Sequence, residues 1–191
     1  MINYLFSNIN TETGFTNKQK EYLKKDIKNN SVITFLVNDE EHVKKILNCF
    51  KKIDIIFKEY HILDKVDEEI VNKSDIIYLS GGIPKEKMNQ LKEFKDILKN
   101  YKGIIIGTSA GSMNQATQVT YLDEEKLIQY EGLGLTNILI YPHFNINDES
   151  LVKEVSEVSK YQKIYCLPNE SFIKIENDNI IIEGPYYILG E

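Results

Sequence analysis

Residues Gly103–Gly111 read GIIIGTSAG, and this stretch decides the fold prediction. An apolar run typical of a buried strand leads into a G-x-S-x-G motif, and the following residues, SMNQA, are able to open a helix. A strand, a tight turn and a helix form the context of a nucleophile elbow, whose glycines make room for a serine held in a strained backbone conformation. The stretch therefore predicts Ser109 as a nucleophile. The alternative is a glycine-rich helix start that binds another anion, or nothing.

The composition is that of a soluble globular protein with one domain, residues 1–191. Hydrophobic residues make up 42% of the chain and charged residues 27%, and the length is sufficient for a sizeable core. A net charge of −6 argues against a nucleic-acid partner. Because Met1–Phe6 lacks a basic region and no run approaches the ~20 apolar residues of a membrane span, we expect a cytoplasmic protein with no membrane partner.

The cysteines and histidines predict neither a redox site nor a metal site. Cys49 and Cys166 each lie in an apolar pattern, which favours two buried free thiols over a disulfide. The three histidines, His42, His61 and His143, lie far apart and have no cysteine partners at ligand spacing. We therefore expect no metal and no cofactor.

Strand-like and helix-like patterns alternate along the chain. This alternation predicts an α/β fold, with a mostly parallel sheet and helices on both faces. Strands are predicted at 2–6, 32–37, 53–57, 75–79, 103–106, 118–122, 138–141, 163–167, 171–176 and 180–189. Helices are predicted at 16–29, 39–50 and 84–100, and from 148 or 150 to about 160. The last two strands are predicted to form an antiparallel hairpin across the turn Asn177-Asp178-Asn179.

Two glycine-containing loops follow consecutive predicted strands. They are Ser80-Gly81-Gly82 and Gly107–Gly111. Ligands bind beyond the carboxyl ends of the strands in such sheets, and consecutive strands often lie side by side. We therefore expect the two loops to meet and to form a functional site.

A serine hydroxyl becomes a good nucleophile when a base takes its proton, and that base is usually a histidine held by a carboxylate. His42 lies in a polar helical stretch. His61 follows the predicted strand 53–57, and the sequence leaves open whether that strand end faces the site. His143 ends an apolar strand, so it is the candidate base, with a structural histidine as the alternative. The acid is sought in the cluster Asp123–Glu125, of which at most one or two carboxylates can face the histidine.

Four short motifs together carry a family resemblance. GTSAG at 107–111, GLGL at 132–135 and PHF at 142–144, with SGG at 80–82, resemble the peptidase E and cyanophycinase family of serine peptidases. The resemblance covers nearly the whole chain. It implies a flavodoxin-like, three-layer fold related to the class I glutamine amidotransferases, with a serine in place of their cysteine.

The resemblance also implies a set of site residues. These are Ser109 as nucleophile, His143 as general base, and the backbone N–H groups of Gly82 and Ala110 as the oxyanion hole. The family's acid lies between the serine and the histidine in sequence. An ungapped match from the elbow places it at Glu124, with Asp123 as the alternative.

This sequence departs from the family pattern beside the expected substrate cleft. Ile83-Pro84 stand where the family usually has Asn-Thr, and the chain contains no arginine to recognise a substrate carboxylate. The first departure removes a polar side chain near the expected substrate cleft. The second leaves lysines as the cations that could meet the carboxylate of an Asp-Xaa dipeptide. Gly81 and Ile83 are expected near the substrate, and Glu170 is a candidate to meet its α-amino group, although a solvated loop acid is the alternative.

The sequence thus predicts a serine hydrolase of the peptidase E type that cleaves a short peptide or a related amide, as a monomer or a homodimer. The alternatives are a non-catalytic amidotransferase-like binding protein and an esterase.

Overall fold

Strands and helices alternate through the first half of the chain, as the sequence predicts. The structure is a computed structural model that describes residues 1–177 and 179–190. Its strands are β1 (Ile2–Phe6), β2 (Val32–Leu36), β3 (Glu59–Leu63), β4 (Ile76–Leu79), β5 (Ile104–Thr108), β6 (Gln118–Asp123), β7 (Lys126–Glu131), β8 (Leu139–Tyr141), β9 (Ile164–Cys166), β10 (Phe172–Glu176), β11 (Asn179–Glu183) and β12 (Tyr187–Leu189). Its helices are α1 (Asn17–Asp26), α2 (Glu40–Lys51), α3 (Glu68–Lys73), α4 (Pro84–Leu91), α5 (Lys95–Asn100), α6 (Ala110–Met113) and α7 (Glu149–Val158).

Seven strands form the central sheet in the order β11-β10-β1-β5-β4-β2-β3. Five neighbouring strands pair in parallel, in the order β1-β5-β4-β2-β3. β10 and β11 form an antiparallel hairpin beside β1. The prediction of a mostly parallel sheet with a C-terminal antiparallel hairpin is therefore confirmed. Asp178, the middle residue of the predicted turn, lies outside the described residues.

Both faces of the sheet are covered, because successive residues of each strand point to opposite sides. Tyr4 and Phe6 of β1 pack into one buried cluster with α1 and α2, whereas Leu5 packs into a second cluster with α3, α4, α5, α6 and α7. This three-layer arrangement explains why the central strands are continuous apolar runs in the sequence.

Side-chain caps set where most of the longer helices begin. At α1, Thr16 accepts from the backbone N–H of Gln19 while the Gln19 side chain accepts from the N–H of Thr16. Aspartates cap three other helices, Asp39 at α2, Asp67 at α3 and Asp148 at α7. Each carboxylate accepts from the backbone N–H of the residue three positions later. For the last of these, the structure selects Asp148 over Ser150.

The strand predicted at 53–57 is wrong. Ile53 and Ile55 are buried in the turn after α2, where both backbone N–H groups donate to the carbonyl of Phe50 at 3.1 Å. The third strand of the sheet is instead β3, an edge strand whose residues are exposed or only partly buried. The apolar pattern was misleading because a buried turn and a buried strand are equally apolar.

Besides β3, the sequence patterns did not predict α3 and β7, and the strand predicted at 180–189 is divided into β11 and β12, which belong to different sheets. β7 pairs with β6 as a separate hairpin, in which Asp123 is opposite Lys126. Glu124 and Glu125 form its turn with left-handed φ values of +47° and +66°. The helix predicted at 84–100 is also divided, since a 3₁₀ turn at Lys92–Phe94 separates α4 from α5.

Three shorter strands form a second sheet that carries the other side of the site. Its order is β12-β9-β8, with β8 and β9 in parallel. None of the described helices has the length and apolar character needed to cross a membrane.

Candidate active site

The two glycine loops meet above the central sheet, as the sequence predicts. β4 and β5 are neighbours, so the loops at their carboxyl ends lie side by side. A Cβ atom built on Gly81 would lie 3.2 Å from the Cβ atom and 3.8 Å from the Oγ atom of Ser109. The backbone N–H of Ser109 donates to the carbonyl of Phe6 at 3.0 Å, which anchors the elbow to β1.

Ser109 has the strained backbone that a nucleophile elbow requires. Its φ and ψ are 49° and −119°, a conformation that residues other than glycine rarely adopt. The flanking glycines are sterically required, since a Cβ atom on Gly111 would lie 2.1 Å from the carbonyl oxygen of Leu79. On Gly107 it would lie 2.5 Å from the Nε2 atom of Gln115. The turn therefore holds the hydroxyl above the end of β5.

His143 meets the nucleophile from the second sheet. Its Nε2 atom lies 2.9 Å from Ser109 Oγ, and its Nδ1 atom lies 2.7 Å from Asn169 Oδ1. The tautomer that satisfies both contacts carries the proton on Nδ1, which donates to the amide oxygen, while Nε2 accepts from the serine hydroxyl. His143 follows β8 and Asn169 lies just beyond β9, so the parallel pairing of these strands brings the two residues together.

The acidic cluster does not supply the partner of His143. Glu124 and Asp123 lie at the tip of the β6–β7 hairpin, where Glu124 lines a separate cleft beside α7. Neither residue makes a hydrogen bond or an ion pair with His143 in the part of the chain that the structure describes. The physical reason is local: the cluster forms a tight turn instead of an extended segment running towards the site.

Asn169 is the site residue that the sequence analysis missed. The available signal was its position, because it follows the predicted strand 163–167 in the same way that His143 follows the strand 138–141. Carboxylates are the usual partners of a catalytic histidine, so this reasoning favours an acid over an amide. The neighbouring Glu170 is predicted instead as a candidate to bind the substrate.

A cleft of about 500 Å³ opens beside the serine hydroxyl. It is lined by Asn8, Ile9, Asn38, Asp39, His42, Tyr78, Ser80, Gly81, Gly82, Lys87, Thr108, Ser109 and His143. Of the three residues predicted to contact substrate, Gly81 lines this cleft. Ile83 and Glu170 are exposed and do not line it. His61 lies in the edge strand β3, where it contacts Glu59 at 3.4 Å.

Lys87 and Asp39 place opposite charges at the wall of the cleft, beside the ring of His42. Lys87 donates from Nζ to the carbonyl of Val37 at 2.8 Å, and burial lowers the pKa of its ammonium. Burial also lowers the pKa of His42, which favours a neutral ring, and its Nε2 atom has no hydrogen-bond partner among the described residues. The backbone N–H of His42 donates to Asp39 Oδ1, a contact that lowers the pKa of this carboxyl.

The predicted oxyanion-hole groups lie at the two loops that meet. Gly82 has a φ of +134°, a conformation that glycine adopts readily and other residues adopt only with strain. Ala110 is the first residue of α6. Within residues 1–177 and 179–190, neither backbone N–H donates to a protein acceptor outside regular helix and strand bonding. Free N–H groups of this kind are suited to an oxyanion, and the assignment of these two remains a prediction.

Fold and site together are those of a serine-peptidase-like α/β protein. The family model described as Peptidase family S51 matches residues 11–183, which is most of the chain. The chain belongs to peptidase family S51.

Two solved peptidase structures share this fold. A putative peptidase E protein from Listeria monocytogenes EGD-e superposes with a TM-score of 0.72 at 19% identity, covering 95% of this chain and 97% of that one. A peptidase from an acI-B1 Actinobacterium has a TM-score of 0.70 at 18% identity, covering 99% of this chain and 90% of that one. At these identities the likeness concerns the fold alone.

A curated relative matches over a shorter region. It is a 4-hydroxy-tetrahydrodipicolinate synthase from Lactobacillus acidophilus, 29% identical over 100 residues. The match covers 50% of this chain but 31% of that protein, so the chain spans about a third of the length of this relative.

Proposed function

We propose that the chain is a serine hydrolase of the peptidase E type, which cleaves a short peptide or a related amide through an acyl-enzyme. The observation that carries the proposal is the 2.9 Å separation between Ser109 Oγ and His143 Nε2 at a strained elbow. A nucleophile and a base within hydrogen-bond reach, with the base oriented by a third group, are the signature of nucleophilic catalysis. Membership of peptidase family S51 supports the same reaction class.

In the proposed reaction, Ser109 Oγ attacks the carbonyl carbon while His143 Nε2 takes the hydroxyl proton. The carbonyl oxygen becomes an oxyanion, which the N–H groups of Gly82 and Ala110 stabilise. The C–N bond then breaks, and the imidazolium gives its proton to the leaving amine. Water repeats the sequence on the acyl ester, which releases the acid and restores the free serine.

We assign the third position to Asn169, and neither Glu124 nor Asp123 is retained there. The amide oxygen of Asn169 accepts from Nδ1–H and so keeps Nε2 free to accept the serine proton. A neutral amide holds the ring and its tautomer, but it stabilises the imidazolium less than a carboxylate does. The amide therefore fixes the orientation of the proposed base. Serine–histidine–asparagine parallels the cysteine–histidine–asparagine arrangement of papain-like peptidases.

Lys87 supports a preference for substrates with an acidic group. Its aliphatic chain lies against Gly82, since a Cβ atom on that glycine would meet Lys87 Cε at 3.1 Å. The half-buried ammonium is a stronger attractor of a carboxylate than a fully solvated one, because the surrounding protein screens it less. With no arginine in the chain, Lys87 is the residue that we propose to meet the acidic side chain of an Asp-Xaa dipeptide.

A dipeptide panel tests this function directly. Asp-Xaa, Asn-Xaa and Ala-Xaa dipeptides, together with simple p-nitrophenyl esters, are incubated with the protein and with its Ser109→Ala variant. We expect hydrolysis of Asp-Xaa that disappears in Ser109→Ala, and a raised KM for Asp-Xaa in Lys87→Met. Hydrolysis that continues undiminished in Ser109→Ala rules out the mechanism, and a preference for esters favours the esterase alternative.

A non-catalytic binding protein is the second candidate, and the amide at Asn169 is what favours it. A ring that lacks a carboxylate partner is also compatible with a site that binds without turnover. A fluorophosphonate probe separates the two candidates, because an activated serine reacts with it stoichiometrically and an unactivated one does not.

A further inference from the structure

His143 needs a restraint on its backbone. It has a left-handed φ of +58°, which residues other than glycine rarely adopt, and its side chain is exposed. The loop that carries it follows a strand of three residues. An exposed ring on a strained loop keeps its place beside Ser109 only when the surrounding structure fixes the backbone beneath it.

Ser7 provides such a restraint. This residue directly follows β1 and is fully buried. Its Oγ atom lies 2.8 Å from the backbone nitrogen of His143 and 2.8 Å from the carbonyl oxygen of Leu167. Because the hydroxyl has a single proton, it donates to the Leu167 carbonyl and accepts from the N–H of His143.

Leu167 links these contacts to the strands of the second sheet. Its carbonyl also accepts from the N–H of Phe144 at 3.0 Å, and its N–H donates to the carbonyl of Tyr141 at 2.9 Å. The segment after β8 and the segment after β9 are therefore bonded to each other on both sides of His143. Ser7 bonds to both segments from the central sheet.

The same residue holds the segment that carries Asn169. The backbone N–H of Ser7 donates to the carbonyl of Ser171 at 3.2 Å, so Ser7 contacts the chain on both sides of Asn169, at Leu167 and at Ser171. One residue earlier, the carbonyl of Phe6 accepts from the N–H of Ser109. The end of β1 thus bonds directly to the elbow, to the histidine loop and to the asparagine loop.

We propose that Ser7 is a positioning residue for the hydrolysis: its hydroxyl sets the backbone of His143 so that Nε2 meets Ser109 while Nδ1 meets Asn169. This inference rests on the proposed function. Ser7 does not line the cleft beside Ser109, so it acts through His143 and not through the substrate.

Removing the hydroxyl leaves the N–H of His143 facing a methyl group, which favours a shift of the loop towards another acceptor. A displacement of about 1 Å at a catalytic group costs on the order of a hundredfold in rate. We therefore expect Ser7→Ala to lower kcat roughly a hundredfold while KM changes by less than about threefold, since the cleft residues are unchanged.

Ser74→Ala is the matched control. Ser74 is also buried, and its hydroxyl contacts Thr34 Oγ1 at 2.6 Å and donates to the carbonyl of Ile70 at 2.8 Å. It lies at the amino end of β4, whereas the cleft is at the carboxyl end. Ser74→Ala should lose comparable stability and retain kcat, and Ser7→Thr, which keeps a hydroxyl, should recover activity relative to Ser7→Ala.

Two spectroscopic measurements test the contact without relying on turnover. The chain has three histidines, so long-range ¹H–¹⁵N spectra resolve the imidazole of His143. We expect the Nδ1–H signature to be lost in Ser7→Ala and kept in Ser74→Ala. In the unchanged protein, the amide of His143 should be protected from hydrogen exchange although its side chain is exposed.

These readouts separate the two proposals. Suppose that the unchanged protein shows no hydrolysis, while the imidazole and amide signals of His143 behave as expected. In that case the proposed function fails, and the role of Ser7 in holding His143 stands. If kcat and the His143 imidazole signals of Ser7→Ala match those of Ser74→Ala, or if the His143 amide exchanges freely, the role of Ser7 is overturned.

Discussion

His143 Nε2 lies 2.9 Å from Ser109 Oγ, although 34 residues separate the two in sequence. Ser109 directly follows β5 of the central sheet, and His143 lies two residues beyond β8 of the smaller sheet. Their meeting depends on how the two sheets pack at their carboxyl ends.

Ser109→Ala should lower turnover by several orders of magnitude and abolish fluorophosphonate labelling, because the attacking atom is removed. Ser156→Ala is a suitable control, since its hydroxyl donates only to the carbonyl of Val152 within α7. Intact-mass spectrometry after labelling measures both variants. A probe adduct that persists in Ser109→Ala would assign the nucleophile elsewhere.

Asn169→Asp should move the acidic limb of the kcat/KM profile to higher pH. A carboxylate beside Nδ1 favours the protonated, inactive ring more than a neutral amide does, which gives the direction of the change. Asn169→Ala should instead lower kcat roughly tenfold to a hundredfold, since the ring loses its orienting acceptor. An unchanged profile in both variants would show that Asn169 does not orient the base.

Glu124→Gln and Asp123→Asn should leave kcat/KM within about twofold, because both residues lie at the tip of the β6–β7 hairpin. Steady-state kinetics on the best dipeptide substrate measures this. The outcome decides between the family-derived acid and Asn169. A loss greater than about tenfold in Glu124→Gln would restore the carboxylate to the catalytic machinery.

Gly111→Ala should be strongly destabilising, by about 3 kcal/mol or more, because the added Cβ atom meets the Leu79 carbonyl oxygen at 2.1 Å. Gly14→Ala separates steric overlap from backbone strain. Gly14 has a φ of +87°, but a Cβ atom there would make only an ordinary contact with Lys52 Cδ at 3.5 Å, so its substitution should cost about 1 kcal/mol. Urea unfolding measures both, and equal losses would contradict the steric explanation of the elbow.

Both thiols should be unreactive in the folded protein. Burial raises the pKa of the Cys166 thiol to about 12, and it also raises the pKa of the Cys49 thiol. A raised thiol pKa means less thiolate, and at pH 8 the thiolate fraction of Cys166 falls about a thousandfold relative to an ordinary cysteine. Ellman's reagent should therefore titrate the two thiols only after unfolding. Rapid labelling of the native protein at pH 8 would contradict their burial.

The sequence by itself determined the elbow, the parallel sheet and the C-terminal hairpin. These follow from local chemistry. The glycines around Ser109 are required because a Cβ atom at these positions would lie as close as 2.1 Å to a neighbouring atom. Continuous apolar runs belong to strands buried on both faces. The caps at Thr16 and Asp39 are likewise short-range features. The polar edge strand β3 escaped prediction, because half-exposed strands lack the apolar run.

Only the tertiary structure decided which group faces Nδ1 of His143. Glu124 and Asn169 lie on opposite sides of the histidine in sequence, and no local pattern distinguishes them as its partner. The parallel pairing of β8 with β9 brings Asn169 to 2.7 Å, whereas the turn between β6 and β7 carries Glu124 into a separate cleft. Strand pairing over long sequence distances sets that geometry, and the spacing of residues along one chain does not contain it.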